Sequence, residues 1–319
     1  MLGQTFAANI SIGTGGTVEF GQGIQVQTAC AGNNPITLKP KTSFANVSGG
    51  GSMKFSSIDV SGVPSTCIGS RFSFTAYGET STAALPIFNS NQTSAVVMMK
   101  QDNTFVTTPD ATGITVTTLS NSSFSITFAN PVSDSKLVYR LTIESRAASC
   151  SDGVNCAIGD TGPGGGTVFM IASTSGNTSG LNYEIAPADV AGTYAMCNLQ
   201  TVNLALNNSI GWGESNTATI MANSNCNTSA NGAYVARNYN GGGQSDWFLP
   251  SQQELKIAKD NILNSYSNWN GSYMTSSSPS GNAIWFVDFG SIVTCGGGLW
   301  PICSTYKDSA VNVRPVRSF

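Results

Sequence analysis

Apolar and polar residues alternate in short runs along the first half of the chain. Ile10-Ser11-Ile12 and Val18-Glu19-Phe20 follow a two-residue period. So do Phe72-Ser73-Phe74-Thr75, Ile114-Thr115-Val116-Thr117, Phe124-Ser125-Ile126-Thr127-Phe128 and the stretch from Leu137 to Ile143. That period sends successive side chains to opposite faces of a strand, one face buried and the other wet. Clusters of Gly, Asn, Ser and Pro, such as 48–52 and 89–93, separate the runs. No helical period intervenes, so residues 1–147 are expected to form an all-β domain, a β-sandwich.

The second half mixes short strands with at least one helix. Ser251-Gln252-Gln253-Glu254 has the spacing of a capping box, and Leu255, Ile257, Ala258, Ile262 and Leu263 supply an apolar face behind it. Trp212, Trp247, Trp269, Trp285 and Trp300 all lie in this half, and no tryptophan precedes them. Residues 148–156 read as a short hinge, pinned if Cys150 and Cys156 pair, and residues 157–319 as a second, loop-rich α/β domain. No internal repeat of fixed period is visible.

Composition then narrows the function. Ser, Thr, Asn and Gly make up 138 of the 319 residues, while only 14 are basic and 17 acidic, and there is no histidine. Such a chain solvates its surface with hydroxyls and amides rather than ions. Without histidine, Ser-His-Asp and Cys-His nucleophile pairs and the usual zinc enzyme sites are excluded. A net charge of −3 argues against nucleic acid and anionic membrane as partners. The charge divides as +1 over 1–150 and −4 over 151–319. No run of about 18 apolar residues marks a membrane span.

The eight cysteines form no CxxC pair and lie among polar loops, which points to an oxidising, extracellular compartment. Eight cysteines allow 105 connectivities. Nearest-neighbour pairing would give Cys30–Cys67, Cys150–Cys156, Cys197–Cys226 and Cys295–Cys303. Eight N-x-S/T sequons, from Asn9 to Asn270, would make the chain a glycoprotein if used, although a chain this rich in Asn, Ser and Thr generates sequons by chance.

The apolar start, Met1 to Ala8, resembles the tail of a signal peptide but has no charged beginning. Read as mature protein, residues 1–20 are a candidate assembly strand. Leu2, Phe6, Ile10 and Ile12 would then be its contact residues, added to an open sheet of a neighbouring subunit.

Several segments of the second half, in order, resemble one bacterial family. They are Ile158-Gly159-Asp160-Thr161-Gly162-Pro163-Gly164-Gly165-Gly166-Thr167-Val168-Phe169, then Tyr183 to Asp189, then Ile210-Gly211-Trp212-Gly213 with Asn216-Thr217-Ala218. Gly241 to Ser251 with Glu254-Leu255, Tyr273 with Ser276-Ser277-Ser278, Ala283 to Phe286 and Val313-Arg314-Pro315-Val316-Arg317 complete the set. The set is similar to the Lcl C-terminal domain family, named for a bacterial collagen-like adhesin and related to C-type-lectin-like folds. The resemblance covers about 157–319 and implies a C-type-lectin-like binding module, secreted or on the cell surface, with no catalytic residue to carry over. Sulfated polysaccharides, associated with the founding adhesin, would find no basic cluster in a half carrying −4.

The residues of these segments have their own physical reading. Gly159 to Gly166 lacks the Gly-Lys-Ser/Thr ending of a nucleotide loop and reads as a tight turn feeding a strand. Trp212, Trp247 and Trp285 are candidate sugar-stacking platforms, with Asp246 and Asp288 as polar partners, although core packing is the plainer role for Trp247. Arg314 and Arg317 are expected to form ion pairs with Asp246 or Glu254. No cofactor is implied. Calcium is the one metal the loop oxygens of Asp160, Asp246 and Asp288, with Asp152 and Asn216, could take, but they lack calcium-loop spacing.

The first functional expectation is a non-enzymatic extracellular protein, the self-associating subunit of a pilus-like or fibrous filament displaying a lectin-like module. A second is a non-polymerising surface adhesin that binds glycans. A remote third is a polysaccharide-acting enzyme using Asp246 with Glu254 or Asp288.

Overall fold

The computed structural model describes residues 6–11, 24–26, 28–47, 50–108, 111–262, 269, 271–290 and 302–319. The chain divides into two compact units, Met1–Ala148 and Ser149–Phe319. It is β-rich, and the paired strands of its sheets run antiparallel throughout.

The first unit contains β1 (Phe6–Ser11), β2 (Ile24–Val26), β3 (Ile36–Val47), β4 (Gly50–Ser61) and β5 (Ser70–Tyr77). These are followed by β6 (Ser94–Met99), β7 (Phe105–Val106), β8 (Ile114–Ser120), β9 (Ser123–Phe128) and β10 (Arg140–Ala147). They form two five-stranded sheets, ordered β1-β10-β5-β6-β7 and β2-β3-β4-β9-β8. One hydrophobic cluster draws from both: Phe72, Phe74, Val97, Leu141 and Ile143 from the first, and Leu38, Phe55, Ile58, Phe124 and Ile126 from the second. The alternation of β5 and β9 accounts for this, since Phe72, Phe74, Phe124, Ile126 and Phe128 each sit two residues apart and are buried.

In β4 the inward residues Phe55 and Ile58 are three apart, which breaks the alternation. The pairing slips there: Lys41 faces Ser57, while Thr42 faces Phe55. This bulge at Ser56 restores the inward face on either side. Among the described residues β2 pairs with Ile36 to Leu38 of β3, and Pro40 faces Ile58 of β4. Leu137 falls in a 3-10 turn, Ser135–Leu137, rather than a strand, and β10 begins at Arg140.

The second unit opens on a 3-10 turn, Cys150–Asp152, closed by the Cys150–Cys156 disulfide. Asp152 Oδ2 accepts the backbone N–H of Ser149 at 3.0 Å. There follow β11 (Thr167–Met170), β12 (Tyr183–Ile185), α1 (Gly213–Met221), α2 (Gly232–Arg237) and α3 (Gln252–Ile262). The last strands are β13 (Ser272–Met274), β14 (Ala283–Asp288), β15 (Ile302–Tyr306) and β16 (Val316–Ser318). The sheets are three-stranded, β11-β12-β16 and β13-β14-β15. Two apolar clusters fill this unit, one around Phe169, Phe248, Leu255 and Tyr273, the other around Ile220, Ala233, Leu249 and Met274.

Disulfides join Cys30 to Cys67, Cys150 to Cys156 and Cys197 to Cys226. Cys303 is also disulfide-bonded, while Cys295 lies outside the described residues. No helix among the described residues is long and apolar enough to cross a membrane.

Candidate functional site

The polar residues of the second unit's ordered segments converge on three buried centres. The first is Glu184 on β12, fully buried. Its two carboxylate oxygens accept the N–H groups of Gly164 and Gly166, each at 2.8 Å, and Arg317 Nη1 donates to Oε1 at 2.9 Å. Arg317 turns its remaining edge to Asp246, with Nε–Oδ1 at 2.8 Å and Nη2–Oδ2 at 3.0 Å. Burial pushes the Glu184 carboxyl above its usual value, and the two N–H groups and Arg317 oppose that rise.

This centre explains the glycine run. A Cβ at Gly164 would stand 2.8 Å from both Glu184 Oε1 and Trp247 Cζ2, so only glycine lets the loop close onto the carboxylate. The backbone donors that could cradle a phosphate are occupied by the protein's own carboxylate.

Glu254, in the first turn of α3, is the second centre and is also fully buried. The capping box forms: Ser251 N–H donates to Oε2 at 2.7 Å, and Glu254 N–H donates to Ser251 Oγ at 3.3 Å. Oε1 accepts Gly211 N–H at 2.7 Å and Gly213 N–H at 3.3 Å, which ties α1 to α3. Desolvation raises its carboxyl, against the N–H groups that favour the charged form. Around it, Thr217 Oγ1 receives Leu249 N–H at 3.0 Å, Ser276 N–H donates to Pro250 O at 2.7 Å, and Ser277 Oγ donates to Asn207 O at 2.8 Å.

The third centre is Arg314. Its Nε donates to Asp189 Oδ1 at 2.6 Å, its guanidinium lies 3.9 Å over the Trp269 ring, and Tyr273 Oη donates to Asp189 Oδ2 at 3.0 Å. Two lysines are buried against backbone oxygens. Lys307 Nζ donates to Gly281 O at 2.9 Å and to Val202 O, and Lys259 Nζ donates to Asp288 O. Desolvation lowers both amines.

Against this geometry several sequence expectations need correction. Arg317 does meet Asp246, but its deeper partner is Glu184, and Arg314 takes Asp189. Glu254 is held by backbone N–H groups rather than by either arginine. Trp247 is fully buried and donates Nε1–H to Gly241 O at 3.1 Å, so it offers no face to a sugar. Asp288 is buried, with Ser272 Oγ at 2.8 Å and Gly290 N–H at 2.8 Å on its carboxylate. The carboxylate pairs Asp246 with Glu254 or Asp288 therefore leave no open acid and base, since two of the three are sealed from solvent and the third is clamped by Arg317.

The calcium candidates are not brought together. Asp160 Oδ2 accepts Ala157 N–H at 2.8 Å, and Asn216 bridges to Asn207 O at 2.6 Å. Among the described residues no group of three or more His, Cys, Asp or Glu side chains is placed to hold a metal ion. Of the stacking candidates, Trp285 is half-buried on β14, and Trp212, just before α1, is 46% exposed.

Of the proposed assembly residues, Leu2 and Ile12 lie outside the described residues, and Phe6 and Ile10 fall in β1. Glu184 was not singled out from the sequence. The signal available was an acidic residue inside Tyr183-Glu184-Ile185, a strand otherwise apolar. Set beside known proteins, the chain matches no family model and no curated protein.

Proposed function

We infer that the chain is a non-enzymatic extracellular structural protein of a bacterium, the subunit of a pilus-like or fibrous filament, in which a β-sandwich carries a lectin-like module. One observation carries the reading: Glu184, Glu254, Arg314 and Arg317 are buried, and they and the partly exposed Asp189 and Asp246 are engaged by backbone or by each other, as scaffold residues are. Three disulfides favour an oxidising exterior. The aromatic core shared by two five-stranded sheets supports the sandwich, and the ordered family-like segments support the lectin-like module. Electron microscopy of the purified native protein tests the reading. Filaments are expected, and discrete particles under all conditions would remove it.

The exposed Trp212 favours a second reading, a non-polymerising adhesin that stacks a sugar ring on this indole. Glycan-array binding by the full chain, lost in Trp212→Ala without any polymer in the parent protein, would select this reading.

A further inference from the structure

β1 occupies one edge of its sheet. Among the described residues it pairs with β10 alone, from Phe6↔Ser145 through Ala8↔Ile143 and Ile10↔Leu141 to Ser11↔Arg140. The residues that Phe6, Ala8 and Ile10 face across the ladder are Ser145, Ile143 and Leu141, and all three are buried, with Ile143 and Leu141 belonging to the core cluster. Residues at opposed positions of an antiparallel pair share a face. Phe6, Ala8 and Ile10 of Phe-Ala-Ala-Asn-Ile-Ser thus hold the register positions opposite buried residues of β10, with Ala7, Asn9 and Ser11 at the alternate ones.

Without β1, β10 would become the edge, with a row of unpaired N–H and C=O groups beside the core. β1 itself carries no charge and no proline, the devices that keep an edge strand from pairing with another chain. It is joined to the rest of the unit through residues 12–23, which lead to β2 in the opposite sheet. A connection of that length can reach about 40 Å when extended. An edge strand that completes its own sheet makes the same contacts in an identical neighbour, so exchange loses no pairing.

Building on the filament reading above, we propose that β10 is the acceptor edge and β1 the exchanged strand: in the assembly, β1 of one copy pairs with β10 of the next in the register Phe6↔Ser145 to Ser11↔Arg140. The partner is a second copy of this chain, recognised by main-chain hydrogen bonds along the edge.

Cysteine pairs at opposed positions test the proposal. Ala7 faces Glu144 and Ser11 faces Arg140, which gives two independent variants, Ala7→Cys/Glu144→Cys and Ser11→Cys/Arg140→Cys. Filaments grown from either and oxidised should run on non-reducing gels as a ladder of multiples of the 33.1 kDa chain. Mixing chains that carry only Ala7→Cys with chains that carry only Glu144→Cys should give a covalent dimer. Filaments whose cross-link stays within one chain for both pairs, or that form no cross-link with either, overturn strand exchange and leave the filament reading intact. A native protein that forms no filaments overturns both.

Discussion

The two units hold few charges by opposite means. In the first, strands of up to 12 residues lie side by side and an aromatic cluster shared between sheets does the packing, with Phe124 in contact with the rings of Phe72, Phe74 and Phe105. Its ion pairs Lys41–Asp59, Lys54–Asp134 and Lys100–Asp102 all keep some contact with solvent. In the second, strands are only 3 to 6 residues long and the ionic groups move inside, where Glu184, Glu254, Lys307 and Arg317 are buried as completely as any leucine. Short strands leave many loop N–H and C=O groups unpaired, and a buried group without a partner is costly. The buried carboxylates and amines meet that need: the carboxylates accept loop N–H groups and the lysines donate to loop carbonyls. A charged interior here substitutes for regular secondary structure.

Because every tryptophan lies in the second unit, indole fluorescence follows that unit alone, while far-UV circular dichroism follows both. The largest expected effect is Phe124→Ala, which should cost the first unit about 3–5 kcal/mol as an aromatic core truncation. Its denaturant midpoint by circular dichroism should fall while the fluorescence midpoint holds. Arg317→Ala should do the reverse, lowering the fluorescence midpoint by the equivalent of about 3 kcal/mol, since it strands a buried carboxylate. Adding Glu184→Gln to it should recover part of that loss. If either variant moves both transitions together, the division of labour between the units is wrong.

Gly164→Ala should destabilise the second unit by about 1–3 kcal/mol through overpacking against Glu184 and Trp247, again read by fluorescence. The smallest effect is the response to acid. Glu254 has its carboxyl raised by burial, so its contribution is present below the ordinary glutamate value of 4.5 and is lost as pH rises through the raised value. Asp134 is held low by hydrogen bonds from Lys54 and Ser52, so its contribution is present above 3.8 and is lost as pH falls through its lowered value. For Asp59 burial acts upward, but Lys41 and Ser125 hold the carboxyl below its usual value, with the same consequence. Acidification from neutrality toward 4.5 should therefore strengthen the fluorescence transition, and below 3.8 the first unit should weaken. Glu254→Gln should flatten the first trend; an unchanged slope in that variant would move the cause elsewhere.

The first unit was the more legible in sequence. The alternation at Phe72 to Thr75 and Phe124 to Phe128 corresponds to β5 and β9, because each is a long strand with one buried face. The slip at Ser56 was not legible, since a bulge depends on the partner strand rather than on local composition. In the second unit the capping box at Ser251 and Glu254 could be read because its partners lie three residues apart. What could not be read was that the same carboxylate also reaches Gly211 and Gly213, or that Arg317 finds Glu184 across 133 positions. A buried polar residue advertises that it has a partner without naming it. The glycine run, which superficially suggests ligand binding, proved to be the lining of a carboxylate already in place.

The inward placement of the second unit's cations bears on how that unit meets proteases. That unit has six basic residues, Arg237, Lys256, Lys259, Lys307, Arg314 and Arg317, and the last four of these are buried. Enzymes that cut after lysine or arginine are left with Arg237, the last residue of α2, and Lys256 within α3, and at both the helix must first unwind to enter a cleft. Drawing its cations into the core thus makes the folded module a poor substrate for trypsin-like proteases.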